Sequence, residues 1–90
     1  MTDNRYAITW TSAATRHLRK LPKHAQQRIV AIVELLSNAP RPAKAIKLTD
    51  EQDLWRIRTG DYRIVYHIED KMLVIVVVKV AHRRDVYRHS

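Results

Sequence analysis

Five arginines, Arg56, Arg58, Arg63, Arg83 and Arg84, stand in or just beyond the longest strand-like stretch of the chain, LWRIRTGDYRIVYHIEDKMLVIVVVKVAHRRDVY over residues 54–87. Arginine carries a permanent charge on a planar fork of donors that matches phosphate oxygens, so a row of them on one sheet face points to a phosphate-binding surface. Alternation decides whether they share that face, because successive side chains of a strand point to opposite sides. Leu54, Arg56 and Arg58 fall on one side and Trp55 and Ile57 on the other; then Arg63, Val65, His67 and Glu69 oppose Tyr62, Ile64, Tyr66 and Ile68. A two-residue loop at Thr59-Gly60 sets Arg58 opposite Asp61 and Arg56 opposite Arg63, which gathers the arginines on one face and the apolar residues on the other. A three-residue loop shifts the pairing by one and mixes arginine with Tyr62 and Ile64, a register that burial penalises. Plainer roles compete for the same residues: Arg56 and Arg58 as a solvated face, Arg63 as an ion-pair partner of Asp61 or Glu69, Tyr62 and Tyr66 as core. Of the five histidines, His17, His24 and His89 read as surface residues, while His67 on the arginine side and His82 beside Arg83 remain candidates.

Those arginines need elements to hold them. Tyr6, Ile8 and Trp10 alternate with Ala7 and Thr9, a short strand. Thr11 or Ser12 is a cap for a helix whose apolar stripe is Ala14, Leu18 and Leu21. Pro22 ends that helix and is suited to open another, with Ala25, Ile29, Ile32, Val33 and Leu36 continuing the stripe. This αα-hairpin is expected to cover the Trp55, Ile57, Tyr62 and Ile64 side of the sheet. Residues 37–47, SNAPRPAKAIK, read as a linker, with Ile46 and Leu48 packing at the sheet edge and Asp50, Glu51 and Asp53 on a solvated turn. After a turn at Asp70-Lys71, the run from Met72 to Val80 is apolar at nearly every position, as in a central strand covered on both faces. The expected fold class is α+β: an N-terminal strand, an αα-hairpin and a three-stranded antiparallel meander forming one sheet with the helices packed on it. A short turn or helix at Asp85, Val86 and Tyr87 closes the chain.

Ninety residues suit one small domain, residues 1–90, and 17 Lys and Arg against 9 Asp and Glu give a net charge of +8. A surface this basic attracts polyanions at long range, so nucleic acid, an acidic protein and an anionic membrane surface are the classes of partner to weigh. The absence of cysteine rules out disulfides and thiolate metal sites, and the histidines lack a metal-ligand spacing, so no metal and no cofactor is expected. No apolar run is long enough to span a bilayer and Met1 to Trp10 lacks a signal-peptide pattern, so the expected location is the cytoplasm and no membrane partner is expected.

The order strand, helix, helix, strand, strand, strand, with ITWTSAATRHLRKLP at the start, GDYRIVY in the middle and HRRDVYR at the end, resembles the RelE branch of the RelE/ParE superfamily of bacterial toxin-antitoxin toxins. The resemblance implies a small basic ribonuclease that enters the ribosomal decoding site and cuts messenger RNA, held inactive in a hetero-oligomer by a cognate antitoxin with an acidic, amphipathic segment. It implies that Arg63 and Arg83 contact phosphate, that Tyr87 stacks on a base and supports catalysis, and that Arg56 and Arg58 stand where some members carry a lysine pair. Arg84 joins them as an expected RNA contact. Metal-free cleavage by the neighbouring 2′-hydroxyl needs a base, stabilisation of the phosphorane charge and protonation of the leaving oxygen. Arg63 and Arg83 suit the second task; Arg56 and Arg58 cannot give up a proton and are electrostatic clamps. His82 is the titratable candidate for the base. ParE-like gyrase inhibitors share a similar hairpin, which leaves a gyrase-directed toxin and a catalytically inert basic binding module as alternatives.

Overall fold

The elements begin where the cap residues place them. In the computed structural model, which describes residues 5–49 and 53–86, strand β1 spans Ala7–Trp10. Thr11 then accepts a hydrogen bond from the Ala14 N–H on its side-chain oxygen (3.1 Å) and opens helix α1, Ser12–Arg19. Pro22, with φ −56°, breaks the chain and leads into helix α2, Lys23–Asn38. The break is closed by Gln26, whose Nε2 donates to the carbonyl of Leu21 (2.9 Å). Strand β2 (Ile46–Thr49), β3 (Leu54–Thr59), β4 (Tyr62–Glu69), β5 (Val74–His82) and a single helical turn α3 (Arg83–Val86) follow.

The five strands form one sheet in the order β1-β5-β4-β3-β2, with β1 parallel to β5 and the other neighbours antiparallel. The expected α+β architecture is the one observed, with one strand more than the meander read from the sequence. Ile46 and Lys47, read as the end of the linker, form with Leu48 and Thr49 an edge strand paired with β3, so Ile46 and Leu48 do lie at the sheet edge where they were expected. Their signal is weak because Ile46 and Leu48 stay exposed, so burial never imposes a period there.

The helices supply Ala14, Ile29, Val33 and Leu36 to a core completed by Ile57, Ile64, Tyr66, Ile68, Ile75, Val77 and Val80 from the sheet. Each fully buried aliphatic side chain contributes roughly 1.5–3 kcal/mol. Tyr66 is buried as core, and its hydroxyl donates to the Pro40 carbonyl (2.7 Å). Trp55 and Tyr62 pack on the margin of the same core. On β5 the expectation of cover on both faces is corrected. Ile75, Val77 and Val80 are buried beneath the helices, but Val74, Val76 and Val78 on the reverse are only half-buried.

The linker is clasped at the sheet end where β4 finishes. Arg41 reaches Asp53 (2.5 Å) and Asp70 (2.8 Å) and lies over the Trp55 ring, while the Tyr6 hydroxyl donates to Asp70 (2.6 Å). Asp53 therefore belongs to an ion-pair network rather than a purely solvated turn; Asp50 and Glu51 lie outside the described residues. His17, read as a bystander, accepts from the Val80 N–H on Nδ1 (3.3 Å) and braces β5 against α1.

Candidate nucleic-acid interface

The β3–β4 hairpin sets the geometry of the arginines. Thr59 pairs with Tyr62, Arg58 with Arg63, Ile57 with Ile64 and Arg56 with Val65. The loop is thus Gly60-Asp61 rather than Thr59-Gly60, and Gly60 takes φ +58° at the first loop position, where a tight hairpin turn favours glycine. The expected pairing of Arg58 with Asp61 and Arg56 with Arg63 is corrected by one residue on each strand. A slip of one on both strands preserves the faces, so the arginines still share the side opposite buried Ile57 and Ile64.

Arg58 facing Arg63 is unfavourable for folding, since like charges directly opposite destabilise a sheet by a few tenths to about 1 kcal/mol. Arg56 is one diagonal step from Arg63. The Nε atoms of Arg56 and Arg63 are shielded from solvent and have no hydrogen-bond partner among the described residues. Burial, reinforced by the neighbouring charges of Arg58 and Arg63, pushes the Arg56 guanidinium below the usual arginine range; it remains a cation, as arginine does in proteins. Cations crowded against one another with unanswered donors form a surface that an anion stabilises.

Arg58, Gly60, Asp61, Tyr62, Arg63 and Arg83 line a cavity of about 300 Å³ at the hairpin end of the sheet. Arg83 is brought there by α3, whose first N–H donates to the Asp61 carbonyl (2.6 Å). The Arg83 guanidinium stands 3.8 Å from the Asp61 carboxylate with both side chains more than half exposed, 68% and 61%. A pair that open contributes little and is screened by salt, so an incoming phosphate competes with it readily.

The other candidates lie elsewhere. His82 pairs with Tyr62 across β4 and β5, on the helix side of the sheet, with the two rings edge to face at 5.2 Å. Its Nδ1 accepts from the Arg84 N–H (3.1 Å), and neither residue lines the cavity. His82 thus does not line the cavity itself but stands directly behind Tyr62, which does. His67 pairs with Glu69 further along β4. Tyr87 lies outside the described residues.

Two cations join the neighbourhood that sequence reasoning passed over. Arg28 of α2 extends its guanidinium to Gly60, where a Cβ would meet Nη1 at 2.7 Å. Lys79 of β5 is exposed and pairs with Val65 on the arginine side. Arg28 carries no periodic signal, whereas Lys79 announces itself as the single cation in an apolar run.

The family model described as the ParE toxin of a type II toxin-antitoxin system, parDE, matches residues 8–87. The chain belongs to the RelE/ParE superfamily of type II toxins. This superfamily toxin is 34% identical over 88 residues to toxin RelG of Mycobacterium tuberculosis, covering 92% of this chain and 97% of that one. It is also 34% identical to toxin RelE of the same organism, over 96% of this chain and 90% of that one. Among solved structures it is similar to an archaeal RelE-RelB complex from Pyrococcus horikoshii, with TM-score 0.79 and 32% identity over 88% of this chain and 96% of that one. The RelBE2 toxin-antitoxin complex of Mycobacterium tuberculosis gives TM-score 0.77 and 30% identity over 88% and 99%.

Proposed function

We propose that this toxin is a metal-independent endoribonuclease that cuts messenger RNA on the ribosome and so inhibits translation in the cytoplasm. The observation that carries the reading is the cavity in which Arg58, Arg63 and Arg83 converge beside a hairpin loop. In the reaction the 2′-oxygen attacks the adjacent phosphorus, the bond to the 5′-oxygen breaks, and the products are a 2′,3′-cyclic phosphate and a 5′-hydroxyl. Arg63 and Arg83 stabilise the charge that builds on the non-bridging oxygens, a preorganised contribution of the kind worth a factor of 100 to 1,000 per donor. Arg58 and Arg56 hold the strand and keep the local potential positive. Tyr87, by family resemblance, stacks on a base. With His82 behind Tyr62 rather than lining the cavity, the 2′-hydroxyl proton leaves to water in that positive field, water returns a proton to the departing 5′-oxygen, and the ribosome fixes the in-line geometry.

RelB antitoxins partner the solved relatives, and by the same logic a cognate antitoxin with an acidic, amphipathic segment holds this toxin inactive. The description of the matched family model as a ParE toxin favours one second reading, inhibition of DNA gyrase by binding. Primer extension on a reporter transcript after induction separates the two. Breaks at ribosome-occupied codons support the nuclease, and an intact transcript accompanied by DNA-damage signalling supports the gyrase inhibitor.

A further inference from the structure

Lys79 should not point outward by simple alternation. Ile75 and Val77 are buried beneath the helices, and the next residue in their series is Lys79. The register instead slips: Tyr66 pairs with Val77 and Val65 with Lys79, leaving Val78 as an extra residue on β5. Such a bulge reverses the facing of everything beyond it, so Val80 is buried and Lys79 is exposed on the arginine side. The bulge is braced rather than merely tolerated. Helix α1 and its cap satisfy the displaced peptide groups: Thr11 N–H donates to the Val77 carbonyl (3.0 Å), Thr11 Oγ1 to the Val78 carbonyl (3.4 Å), and the Val80 N–H to His17 Nδ1 (3.3 Å).

A lysine on a strand commonly protects a sheet edge, and β1 pairs with β5 only as far as Val77; beyond that point, however, Thr11 and His17 already bond the open side of β5, so edge protection does not require a lysine here. What Lys79 does share is a face and a neighbourhood. Arg56, Val65 and Lys79 form one row across β3, β4 and β5, and Arg58, Arg63 and Ala81 form the next. With strands about 4.8 Å apart, Lys79 is one diagonal step from Arg63, on the side away from β3. The small Ala81 leaves the path between Lys79 and the cavity low. The basic surface therefore continues past the cavity onto β5, with no acidic side chain at a paired position of these two rows.

We infer that Lys79 is a further RNA contact, holding a backbone phosphate adjacent to the one in the arginine cavity. The inference rests on the ribonuclease reading and makes Lys79 a positioning residue: it sets the path of the strand without touching the reacting atoms. Lysine suits the task because it meets phosphate as a point charge and does not demand a fixed angle.

The test uses full-length toxin and a single-stranded 2′-O-methyl oligonucleotide, which binds without being cut, with affinity measured across a salt series. Lys79→Gln is expected to weaken binding about threefold to tenfold and to reduce the slope of log affinity against log salt by about 0.7, the loss of one phosphate contact on a single strand. Lys79→Arg is expected to restore both, with the melting temperature unchanged throughout. In cleavage of programmed ribosomes, Lys79→Gln is expected to raise the apparent KM and leave the maximal rate in place. Unchanged affinity and slope in Lys79→Gln overturn the inference, as does wild-type toxin that binds no RNA. So does a loss confined to antitoxin binding. Wild-type toxin that binds the oligonucleotide in a Lys79-dependent way but cleaves no message supports the contact and refutes the ribonuclease reading separately.

Discussion

Arg63 sits between conflicting demands: its aliphatic stem leans on a sheet, its Nε is shielded without a partner among the described residues, and Arg58 faces it across the hairpin. None of this favours folding, so truncation separates stability from activity. Arg63→Ala is expected to lower single-turnover cleavage by about 100-fold or more while the melting temperature stays level or rises. A melting temperature several degrees lower would make Arg63 a structural residue. Tyr66 offers the opposite case, a polar group serving the core. Burial pushes its hydroxyl up to about 12, against about 10 in an unfolded chain. Its contribution to stability is complete below about pH 10 and is lost as pH rises through about 12, on the order of 2 kcal/mol. Tyr66→Phe is expected to abolish that alkaline loss while lowering stability at neutral pH, because the Pro40 carbonyl loses its donor. Urea titrations of both chains between pH 8 and 11.5 read this directly.

At the scale of elements, the hairpin loop concentrates the constraint. Gly60 adopts φ +58° with the Arg28 guanidinium against its open side. Gly60→Ala is expected to cost about 1 kcal/mol, a melting shift of roughly 4–8 °C for a domain this size; an unshifted melting curve would mean the loop relaxes freely. This loop also shows what the sequence makes legible. Faces were readable because Ile57 and Ile64 must be buried, and burial fixes parity. The turn position was not, because moving both strands by one residue leaves every face unchanged and only the backbone preference of Gly60 distinguishes the registers. The edge strand Ile46–Thr49 was unreadable because both of its apolar residues, Ile46 and Leu48, stay exposed, and the Val78 bulge because an unbroken run of valines carries no period. His17 could not be recognised as a brace, since its partner is a backbone amide created by that bulge. Helices α1 and α2 were legible from Pro22 and the stripe, where local and tertiary demands coincide.

For the whole molecule, two electrostatic features work at opposite ends of the sheet. At one end Arg41 and Tyr6 hold the Asp70 carboxyl below the usual carboxylate range through hydrogen bonds, Arg41 foremost. A depressed carboxylate contributes stability above its unfolded value of about 4 and loses it as pH falls through the folded value. Asp70→Asn is therefore expected to be less stable than wild type at neutral pH and to lose less on acidification; parallel acid curves would show the clasp to be idle. At the other end the cation cluster dominates a chain of net charge +8. Affinity for an acidic antitoxin should fall as salt is raised, and a salt-independent affinity would assign the interface to apolar contacts instead.

The central claim is that the arginine face carries out strand cleavage on the ribosome. Its most direct measurement is single-turnover reaction of purified toxin with ribosomes programmed with one end-labelled message, followed by analysis of the new ends. The account predicts a cut at the decoding-site codon leaving a 2′,3′-cyclic phosphate and a 5′-hydroxyl, reduced by about 100-fold or more in Arg63→Ala and Arg83→Ala proteins that melt like wild type. An intact message on those ribosomes, with the same toxin preparation inhibiting DNA gyrase, would contradict it.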